Sequence, residues 1–546
     1  MLCNLQMWRA NLPSCFARFG FCAYLVGLLF IESVDGDDRR GQRDSRPNIV
    51  FLLADDQCTY SMDCYGTPNV QTPHLDRLAR DGVVFDKHYD TTAICMASRV
   101  NIMTGKYEYK SGCNFEHGPL LEDHWLESYP MLLREAGYKT AFAGKFGFEV
   151  SKQPSGKSWL PENDFDRWGG GPGQTNYQTL RNPTMKKYAK EYPHSTLSYG
   201  AFGRDFILDT SKQSQPFCLS ISFKAPHHPT TPDPQFDHVY RGKTFVKPLN
   251  FGREYGEHFS AQSRLGRQFE RFHSWNYSDD YDRVMATYYQ QIYAIDVAVG
   301  MIREAINDAG IERETVVIYT SDNGFLCGSH GYASKVLPYE ESSRVPLIIY
   351  DPRNTQAQRK ASAIAAALDD EQVLNTDELQ AEASDNKSFA GDSVVQDLSS
   401  YRRCSALTGN VDLAPTILSI AGVPLPINMD GKDLMHLYED PQQSHHEWLP
   451  LMNVWGPSDV HSLAVVAGDW KYIRWPATVD GLEPSEELYQ LTVDPMEITN
   501  LINLQDVAVD RDRLRLIYDK VVEHWETEGV SYHRYPDSVA RFKRSK

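Results

Sequence analysis

The sequence predicts an α/β protein with a large, mixed but mostly parallel sheet covered by helices, followed by a smaller C-terminal α+β subdomain. Three observations predict it. Four short apolar runs each end in polar or ionisable residues, helical patterns lie between them, and a second set of strand-like runs precedes a last amphipathic helix. Short apolar runs with β-branched residues are typical of strands buried on both faces, and their alternation with helices is typical of parallel sheets.

The four apolar runs are the predicted strands of the large sheet. They cover Asn48 to Ala54, Lys139 to Ala143, Pro216 to Phe223 and Thr315 to Thr320. One predicted helix begins at Pro73 after Thr72 as its cap, and another covers Met285 to Ala309. Because ligands of such sheets bind beyond the carboxyl ends of the strands, we expect the polar residues that follow the four runs to meet at one edge.

The first 36 residues predict a secretory signal peptide. Arg9 and Arg18 precede an apolar run from Phe21 to Ile31, and small residues follow it at Val34 and Gly36. The run is short for a bilayer span, which needs roughly 20 apolar residues, so an uncleaved membrane anchor is the second interpretation. We therefore expect an exported protein, periplasmic or secreted, with no membrane contact once the leader is removed.

The mature chain divides into a main domain, 37–429, and the C-terminal subdomain, 430–546. Residues 355–400 interrupt the main domain, and the stretch from Asp369 to Asp397 has nine acidic side chains and one Lys. Such a composition indicates a solvated insertion without chemistry of its own.

The subdomain is predicted to be a small antiparallel sheet packed by one helix. Its strand-like runs are Leu449 to Val454, Ser462 to Ala467, Trp470 to Arg474 and Glu487 to Leu491. The helix that follows has an apolar face that includes Leu514 and Trp525, and Gly529 lies at its end.

Charge and composition exclude several classes of protein. The 546 residues include 55 Lys and Arg against 73 Asp and Glu, so the net charge is -18. A non-specific nucleic-acid binder needs a basic surface, so no nucleic-acid partner is expected. With 41% hydrophobic and 23% charged residues, the chain is neither disordered nor fibrous.

Two predicted strands end in adjacent oxygen-bearing side chains. Asp55 and Asp56 follow the first run, and Asp322 and Asn323 follow the last. A helix cap beside a surface acid would explain Asp55 and Asp56 equally well if the pair stood alone. Together, however, the four side chains offer hard ligands for one cation, and Asn rather than His at the fourth place favours calcium or magnesium over zinc.

A cysteine and an arginine share the first turn of another predicted helix. Cys95 and Arg99 lie in TAICMASRVNIMTG, residues 92–105, where the helix dipole and the guanidinium both favour an anion. Spacing alone leaves two interpretations open, a buried structural Cys beside a surface Arg and a thiolate nucleophile like those of cysteine proteases or phosphatases. Neither explains the oxygen-rich side chains nearby.

Ten collinear segments carry a resemblance that covers nearly the whole mature chain. They are RPNIVFLLADDQ (46–57), CYGTPNVQTPHLDRLARDGVVF (64–85), CMASR (95–99), TGKY (104–107), AGYKTAFAGK (136–145), APHHP (225–229), YTSDNG (319–324), RVPLII (344–349), VDLAPTILSIAGV (411–423) and ELYQLTVDPMEITNL (487–501). In combination they resemble the type I, formylglycine-dependent sulfatases of the alkaline phosphatase superfamily. The resemblance implies an alkaline phosphatase-like sheet, with residues 37–429 as the catalytic domain.

The resemblance also implies a reaction, the hydrolysis of a sulfate ester to an alcohol and inorganic sulfate. One calcium ion, or less favourably Mg²⁺, would be held by Asp55, Asp56, Cys95, Asp322 and Asn323. A formylglycine-generating maturation enzyme would oxidise Cys95 to an aldehyde, formylglycine. The hydrated aldehyde, a diol, would attack sulfur with one oxygen and expel sulfate by losing the proton of the other.

Further roles follow from the resemblance for residues that match the family's motifs. Arg99 would hold the diol, and Lys145 and Lys335 would bind the sulfate oxygens, which concentrates positive charge in an acidic protein. His227, the first His of APHHP, would protonate the departing alcohol oxygen. His228 has no role in this scheme.

Two positions depart from the family pattern. Ala97 stands where many relatives have Pro, which concerns the choice of maturation enzyme. Gly147 stands where relatives often have a His that takes the proton of the diol. We expect His88, His117 or His330 to substitute for it, or Lys145 and water to suffice.

The expected substrate is a sulfated carbohydrate, and simple aryl sulfates are expected to be accepted too. The segment from Trp159 to Tyr177, with GGGPG at 169–173, is rich in aromatic and acidic residues that would shape a sugar cleft. Two alternatives stay open: a phosphoester or phosphonate hydrolase on the same fold, and a sulfated-glycan-binding protein without turnover.

Seven of the ten cysteines follow the leader. With Cys95 set apart by the resemblance, six remain in an oxidising compartment. Cys58 and Cys64 are close in sequence and form a candidate local disulfide.

Overall fold

The fold is described by a computed structural model for residues 46–67, 70–354, 398–477 and 481–544. The predicted leader, 1–36, and residues 355–397 of the predicted insertion lie outside the described residues. Among the helices described, none has the length and apolar character needed to cross a bilayer.

The described strands, numbered along the chain, form three sheets. They are β1 (Asn48–Ala54), β2 (Val83–Tyr89), β3 (Leu120–Leu121), β4 (Lys139–Lys145), β5 (Val150–Ser151), β6 (Ser158–Trp159), β7 (Arg167–Gly171), β8 (Phe217–Ser222), β9 (Thr315–Ser321), β10 (Leu347–Tyr350), β11 (Arg403–Gly409), β12 (Leu449–Asn453), β13 (Ser462–Ala467), β14 (Trp470–Trp475) and β15 (Ser485–Gln490).

The central sheet has eight strands in the order β11-β2-β10-β9-β1-β8-β4-β7. Strand β10 is antiparallel to both of its neighbours, and the other pairs are parallel. Strand β1 lies in the interior of the sheet, where Ile49 pairs with Cys218 of β8 and with Val316 of β9. The predicted fold class, a mixed and mostly parallel sheet, is therefore confirmed.

The described α-helices, also numbered along the chain, cover the sheets. They are α1 (Pro73–Asp81), α2 (Cys95–Thr104), α3 (Glu108–Ser111), α4 (Glu122–Leu126), α5 (Tyr129–Glu135), α6 (Ser195–Thr210), α7 (Asp237–Tyr240), α8 (Arg267–Ser274), α9 (Tyr281–Asp308), α10 (Glu340–Ser343), α11 (Leu413–Ile420), α12 (Met435–Glu439), α13 (Ala508–Glu528) and α14 (Tyr535–Phe542).

Strand β1 shows why both faces of the central sheet are covered. All seven of its residues are buried, and because side chains alternate between faces along a strand, it contributes to two cores. Val50 and Leu52 pack in one core with residues of α6 and α9. Phe51 and Leu53 pack in the other with residues of α2, α5 and α11. A strand that is buried at every position requires a layer of structure on both sides of the sheet, here the helices.

The C-terminal sheet matches its prediction closely. Strands β12 to β15 form an antiparallel meander in chain order. Leu514, Tyr518 and Trp525 of α13 are buried in a core with one face of this sheet, and Gly529 follows the helix. The structure adds α14, whose Phe542 joins the same core and which the sequence pattern did not predict.

Four strands of the central sheet were not predicted: β2, β7, β10 and β11. Strand β7 lies inside the segment from Trp159 to Tyr177, which was interpreted as loops around a cleft. Helix α9 begins at Tyr281, before the predicted Met285. Thr72 does precede α1, but its hydroxyl donates to the Asp76 carboxylate and does not cap the helix.

The predicted Cys58–Cys64 disulfide is absent, since the seven cysteines of the described residues are buried free thiols. The amide of Cys64 donates to Asp76 at the start of α1. The Cys58 thiol instead forms a hydrogen bond with Cys327, which lowers its pKa. The two residues thus contact different parts of the fold.

Candidate active site

Four adjacent strands bring polar residues to one edge of the central sheet. In the order β9-β1-β8-β4, each strand ends in or is followed by such residues. They are Asp322 and Asn323 after β9, Asp55 and Asp56 after β1, Lys224 and His227 after β8, and Lys145 at the end of β4. The contacts below show that they meet, as the strand pattern indicated.

The loops after β1 and β9 interlock through backbone and side-chain hydrogen bonds. The Asp56 amide donates to Asp322 Oδ1 at 3.2 Å, and Asn323 Nδ2 donates to Asp56 Oδ1 at 2.7 Å. Asp56 has a φ of 71°, a left-handed conformation that is uncommon outside glycine and concentrated at functional sites. The Asp55, Asp56, Asp322 and Asn323 side chains are all buried.

A divalent cation fits these side chains. Asn323 Oδ1 is buried without a hydrogen-bond partner, a costly state for an acceptor that a cation would satisfy. Ligand atoms of Asp55, Asp56, Cys95 and His227 lie within 4.8 Å of one another. We call Asp55, Asp56, Cys95, Asp322 and Asn323 the carboxylate site.

Cys95 joins this site as the first residue of α2. Its sulfur lies 3.5 Å from Asp55 Oδ1 and 2.6 Å from Lys335 Nζ. Burial, followed by the neighbouring Asp55 carboxylate, raises the pKa of the Cys95 thiol to about 12. The side chain is therefore a protonated thiol near neutral pH, which argues against the thiolate-nucleophile interpretation.

Arg99 lies one turn further along α2 and holds three strand ends together. Its Nε donates to Asp322 Oδ2 at 2.8 Å, and its Nη1 donates to the Lys145 carbonyl at 2.6 Å and to Ser222 Oγ. The side chain is 1% exposed, so the alternative of a surface arginine is wrong. Nη2 is buried without a hydrogen-bond partner, 3.6 Å from Asp55 Oδ2.

Two lysines complete the positive side of the site. Lys145 Nζ lies 2.5 Å from Asp55 Oδ2, and Lys335 Nζ pairs with Asp56 Oδ1. Burial alone would raise the pKa of Asp55, but Lys145, His227, Arg99 and Lys335 outweigh it and hold the pKa well below its usual value. Three buried cations thus balance the three carboxylates of the site.

His227 is the imidazole that the structure brings to the site. Its Nε2 lies 3.9 Å from Asp56 Oδ2, and its Nδ1 is buried without a hydrogen-bond partner. Burial lowers the pKa of His227 to about 4, so the ring is neutral near pH 7. His228 instead stacks on Trp275 at 3.8 Å between ring centroids.

The side chain of Arg99 leaves no room for a Cβ atom at Gly147. A Cβ at this position would lie 2.4 Å from Arg99 Cδ, and the φ of Gly147 is 92°. A larger side chain would therefore displace the buried guanidinium stem and adopt an unfavourable backbone conformation. The absence of a His here is linked to the path of Arg99.

The three histidines expected to substitute at Gly147 bind other groups. His88 Nδ1 lies 3.0 Å from Thr408 Oγ1, His117 contacts two backbone carbonyls, and His330 contacts a backbone carbonyl and Asn250 Nδ2. The structure does not bring the three rings to Cys95, because hydrogen bonds hold each of them at its own strand or loop. The remaining expectation, Lys145 and water, stays a prediction.

Two further residues of the site were given no role in the sequence analysis, although Lys224 is one of the polar residues that follow the four apolar runs. Ser222 ends β8 and accepts a hydrogen bond from Arg99. Lys224 is buried, its Nζ donates to the Gln174 carbonyl at 2.9 Å, and burial lowers its pKa. Ser222 is the last residue of β8 and Lys224 follows the predicted run, so their position at the end of a predicted strand was the available signal. A single serine or lysine after a strand is too common to stand out.

The C-terminal sheet also reaches this region. Trp455, which follows β12, packs with Ile94, Ala97 and Val336, neighbours in sequence of Cys95 and Lys335. The same tryptophan lines a groove with Gln268 and Val460. The rim beside the thiol is therefore built from both parts of the chain.

Comparison with known families identifies the fold. The family model described as Sulfatase matches residues 47–423. A second model, described as N-sulphoglucosamine sulphohydrolase, C-terminal, matches residues 394–516. Together they span the central sheet and most of the C-terminal part.

Individual relatives agree with these matches. The N-acetylglucosamine-6-O-sulfatase of Bacteroides thetaiotaomicron is 24% identical, covering 89% of this chain and 88% of that protein. A protein structure solved in complex with its substrate D-glucosamine-2-N,6-O-disulfate matches with a TM-score of 0.65 at 23% identity, and the match covers 89% of this chain and 99% of that one. The phosphonate monoester hydrolase of Agrobacterium radiobacter also has a TM-score of 0.65, at 18% identity, with coverages of 89% and 96%.

The similarity to these solved structures shows the fold alone, and a phosphonate monoester hydrolase shares that fold. The family match is more specific, because one model covers more than half of the chain and includes every residue of the carboxylate site. The chain belongs to the sulfatase family and is a sulfuric ester hydrolase.

Proposed function

We propose that this enzyme hydrolyses sulfate esters of a carbohydrate, with Cys95, after oxidation to formylglycine, as its nucleophile beside one calcium ion. The observation that carries the proposal is the position of Cys95. Its sulfur lies at a helix N-terminus, within 3.5 Å of a metal-binding carboxylate and 2.6 Å from a lysine.

The donor set supports both the metal and the modification. Carboxylate and amide oxygens suit calcium or magnesium, whereas a protonated thiol is a poor ligand for either ion. Replacing the thiol by a hydrated aldehyde would give the site one more oxygen donor at the same place. When bound, the ion and the formylglycine would supply Lewis acidity and an oxygen nucleophile.

Electrostatics support an anionic substrate. The three carboxylates are balanced by Arg99, Lys145 and Lys335, so a divalent ion would leave the site with a net charge of about +2. Lys145 and Lys335 both lie within ion-pair distance of Asp55, and in the proposal they turn their ammonium groups to the sulfate oxygens. Arg99 has a buried Nη2 without a hydrogen-bond partner, available to orient the nucleophile.

His227 is proposed to donate a proton to the departing alcohol oxygen. Burial lowers the pKa of His227 to about 4 in the free site, and a bound sulfate anion would favour the protonated ring, which is the form that can release a proton to the alcohol oxygen. Its backbone is fixed by Tyr177, whose hydroxyl donates to the His227 carbonyl at 2.7 Å.

The substrate cleft is proposed to include the segment from Trp159 to Tyr177. Its last residues contact the site directly, since Gln174 accepts a hydrogen bond from Lys224 and Tyr177 binds the His227 carbonyl. Trp455 and its groove would form the opposite rim. The name of a similar N-acetylglucosamine-6-O-sulfatase, and the disulfated glucosamine bound in a similar solved structure, support a sulfated carbohydrate as the substrate class.

The predicted leader supports export, so we propose that the mature enzyme starts near Asp37 and works in a periplasmic or extracellular compartment. A maturation enzyme that generates formylglycine would act before folding, because Cys95 is buried in the folded chain.

The proposal is tested by mass analysis of the peptide that contains residue 95, combined with release of sulfate from a panel of sulfated glycans. Replacement of the CH₂–SH side chain by an aldehyde, together with sulfate release, is the expected result. Fully active protein with an unmodified thiol at residue 95 would refute the proposed nucleophile.

The same panel separates the alternatives. Phosphate monoesters, phosphodiesters and phosphonates belong in it because a phosphonate monoester hydrolase shares the fold. Faster turnover of these than of any sulfate ester would favour the phosphoester alternative. Binding of glycans without sulfate release, by protein with a confirmed aldehyde, would favour the binding-protein alternative.

A further inference from the structure

A second cluster of metal-ligating side chains lies apart from the carboxylate site. It consists of Asp412, which directly precedes α11, and of His445 and His446, in the loop between α12 and β12. Candidate ligand atoms of the three side chains lie within 4.8 Å of one another. We call these three residues the imidazole site.

Both imidazoles are directed at the same carboxylate oxygen. Nε2 of His445 lies 3.2 Å from Asp412 Oδ2, and Nε2 of His446 lies 3.1 Å from the same atom and 2.8 Å from Oδ1. The side chains are almost completely buried, at 0% exposure for Asp412, 1% for His445 and 6% for His446. Two histidines that converge on one buried carboxylate form a preorganised set of donors.

Hydrogen bonding alone does not account for this arrangement. Asp412 already accepts the Gly409 and Lys432 amides at 2.7 and 2.8 Å, and His446 supplies a third donor. His445 Nε2 is close to the carboxylate, yet it makes no hydrogen bond of acceptable geometry and is buried. A buried ring nitrogen without a hydrogen bond, aimed into a cluster of ligands, needs a partner.

The distances suit a metal ion. Ligand atoms bound at about 2.0–2.1 Å to a tetrahedral zinc ion lie about 3.3 Å apart, close to the spacing from Asp412 Oδ2 to both imidazoles. We propose that Asp412, His445 and His446 bind one divalent zinc ion, with water in the fourth position. Two nitrogen donors and one carboxylate favour such a borderline metal over calcium.

The surrounding charges leave room for the ion. Within the described ranges no Lys or Arg side chain forms an ion pair with Asp412, in contrast to the carboxylate site. The nearby Lys432 ammonium donates instead to the His445 carbonyl at 3.3 Å. No Lys or Arg of the described residues would therefore compete with the metal for this carboxylate.

The position of the site assigns it a structural role. The metal would connect the loop that enters the C-terminal sheet with the start of α11. Two residues before Asp412, Asn410 accepts a hydrogen bond from Thr91 and donates to Ser98. Those two residues flank Cys95 in sequence, so zinc would stabilise the support of the active-site helix without touching the substrate.

The test compares the full-length protein with His445→Gln and His446→Gln, single and combined. A glutamine keeps an N–H donor for Asp412 but binds transition metals weakly, so these variants preserve the hydrogen bonds and remove metal ligands. After dialysis against a chelator and then saturation with calcium, the protein is titrated with Co²⁺ as a spectroscopic probe and, separately, with Zn²⁺.

The expected result is one equivalent of tightly bound metal in the wild-type protein, with visible absorption bands of tetrahedral Co²⁺. Zinc should also raise the wild-type Tm by about 2 °C or more, as for any ligand that binds only the folded state. Both signals should be lost in the double glutamine variant. His238→Ala removes an exposed histidine and should keep both.

His227→Ala serves as a second background, because His227 is the imidazole of the carboxylate site. Retention of the Co²⁺ bands in this variant would assign them to Asp412 and its partners. Equal metal content in the wild-type and double glutamine proteins would overturn the proposal and leave only the direct contacts of the two imidazoles with the Asp412 carboxylate. Neither readout depends on sulfate release, so failure of the zinc proposal can be distinguished from failure of the proposed function.

Discussion

The carboxylate site and the imidazole site are both built around buried aspartates, yet their neighbours differ. In the first, three carboxylates face three cationic side chains, and the amide oxygen of Asn323 is the orphaned acceptor. In the second, one carboxylate faces two imidazoles, and the nitrogen of His445 is the orphaned group. The difference teaches that burial of an aspartate does not define a function, whereas the type and charge of its partners do.

The consequence is a division of roles. A bound cation would neutralise the carboxylates of the first site. The positive charges of its lysines and arginine could then bind an anion from solution. Among the described residues, two imidazoles and two backbone amides contact Asp412 but no Lys or Arg side chain does, so the imidazole site has no such surplus charge. The carboxylate site is therefore suited to turnover and the imidazole site to stability.

The largest effect is expected at the nucleophile. Cys95→Ala should lower sulfate release by on the order of 10⁴-fold or more, because it removes the reacting group while the surrounding charges remain. Cys113→Ala is the matched control, since Cys113 is another buried free thiol, outside the carboxylate site. The measurement is kcat/KM for sulfate release. A comparable loss in both variants would indicate misfolding and remove the argument for a nucleophile.

The next effect should depend on the leaving group. His227→Ala should lower kcat by about 10²-fold or more for a sugar sulfate, whose alcohol leaves only with a proton, but much less for an aryl sulfate with an acidic phenol. Steady-state kinetics on both substrates give the ratio. His228→Ala is the control, because His228 is its neighbour and stacks on Trp275. Equal losses on the two substrates would contradict proton donation by His227.

Loss of one positive charge should lower kcat somewhat less than loss of His227 does. Lys335→Ala is expected to lower kcat by about 10²-fold, as for removal of a single electrostatic donor in a buried site. Lys152→Ala, at a lysine side chain that is 73% exposed, should leave kinetics unchanged. Unchanged kinetics for Lys335→Ala would exclude that residue from binding the sulfate group and weaken the comparison of charges.

The parallel sheet was predictable because its central strands are buried at every position and mostly apolar. Strands β1, β8 and β9 are buried on both faces, so apolar residues dominate their sequences. Strands β2 and β11 carry polar residues such as His88 and Thr408, which pair with each other inside the fold. Their burial depends on partners distant in sequence, and periodicity does not reveal it.

The candidate site was predictable for a similar reason. Asp55, Asp322 and Lys145 follow apolar strands, and the order of those strands brings them together. Sequence spacing did not predict the imidazole site, because helices α11 and α12 and the loops that follow them separate its carboxylate from its imidazoles. Gly147 was recognised as a departure, but only the path of Arg99 explains it.

The smallest effect on the rate is expected from exchange of metals, and it tests the division of roles directly. Protein depleted with a broad chelator should recover sulfate release with calcium alone, because the oxygen donors of the carboxylate site suit that ion. Zinc added with calcium should change the rate by less than about twofold, yet raise the Tm, since it would bind only the folded state at a site remote from the reacting atoms. Zinc alone should raise the Tm without restoring the rate. Full recovery of sulfate release with zinc alone would mean that the oxygen-rich site does not discriminate between these metals, and the contrast between the two clusters would then lie in their charges and not in their choice of ion.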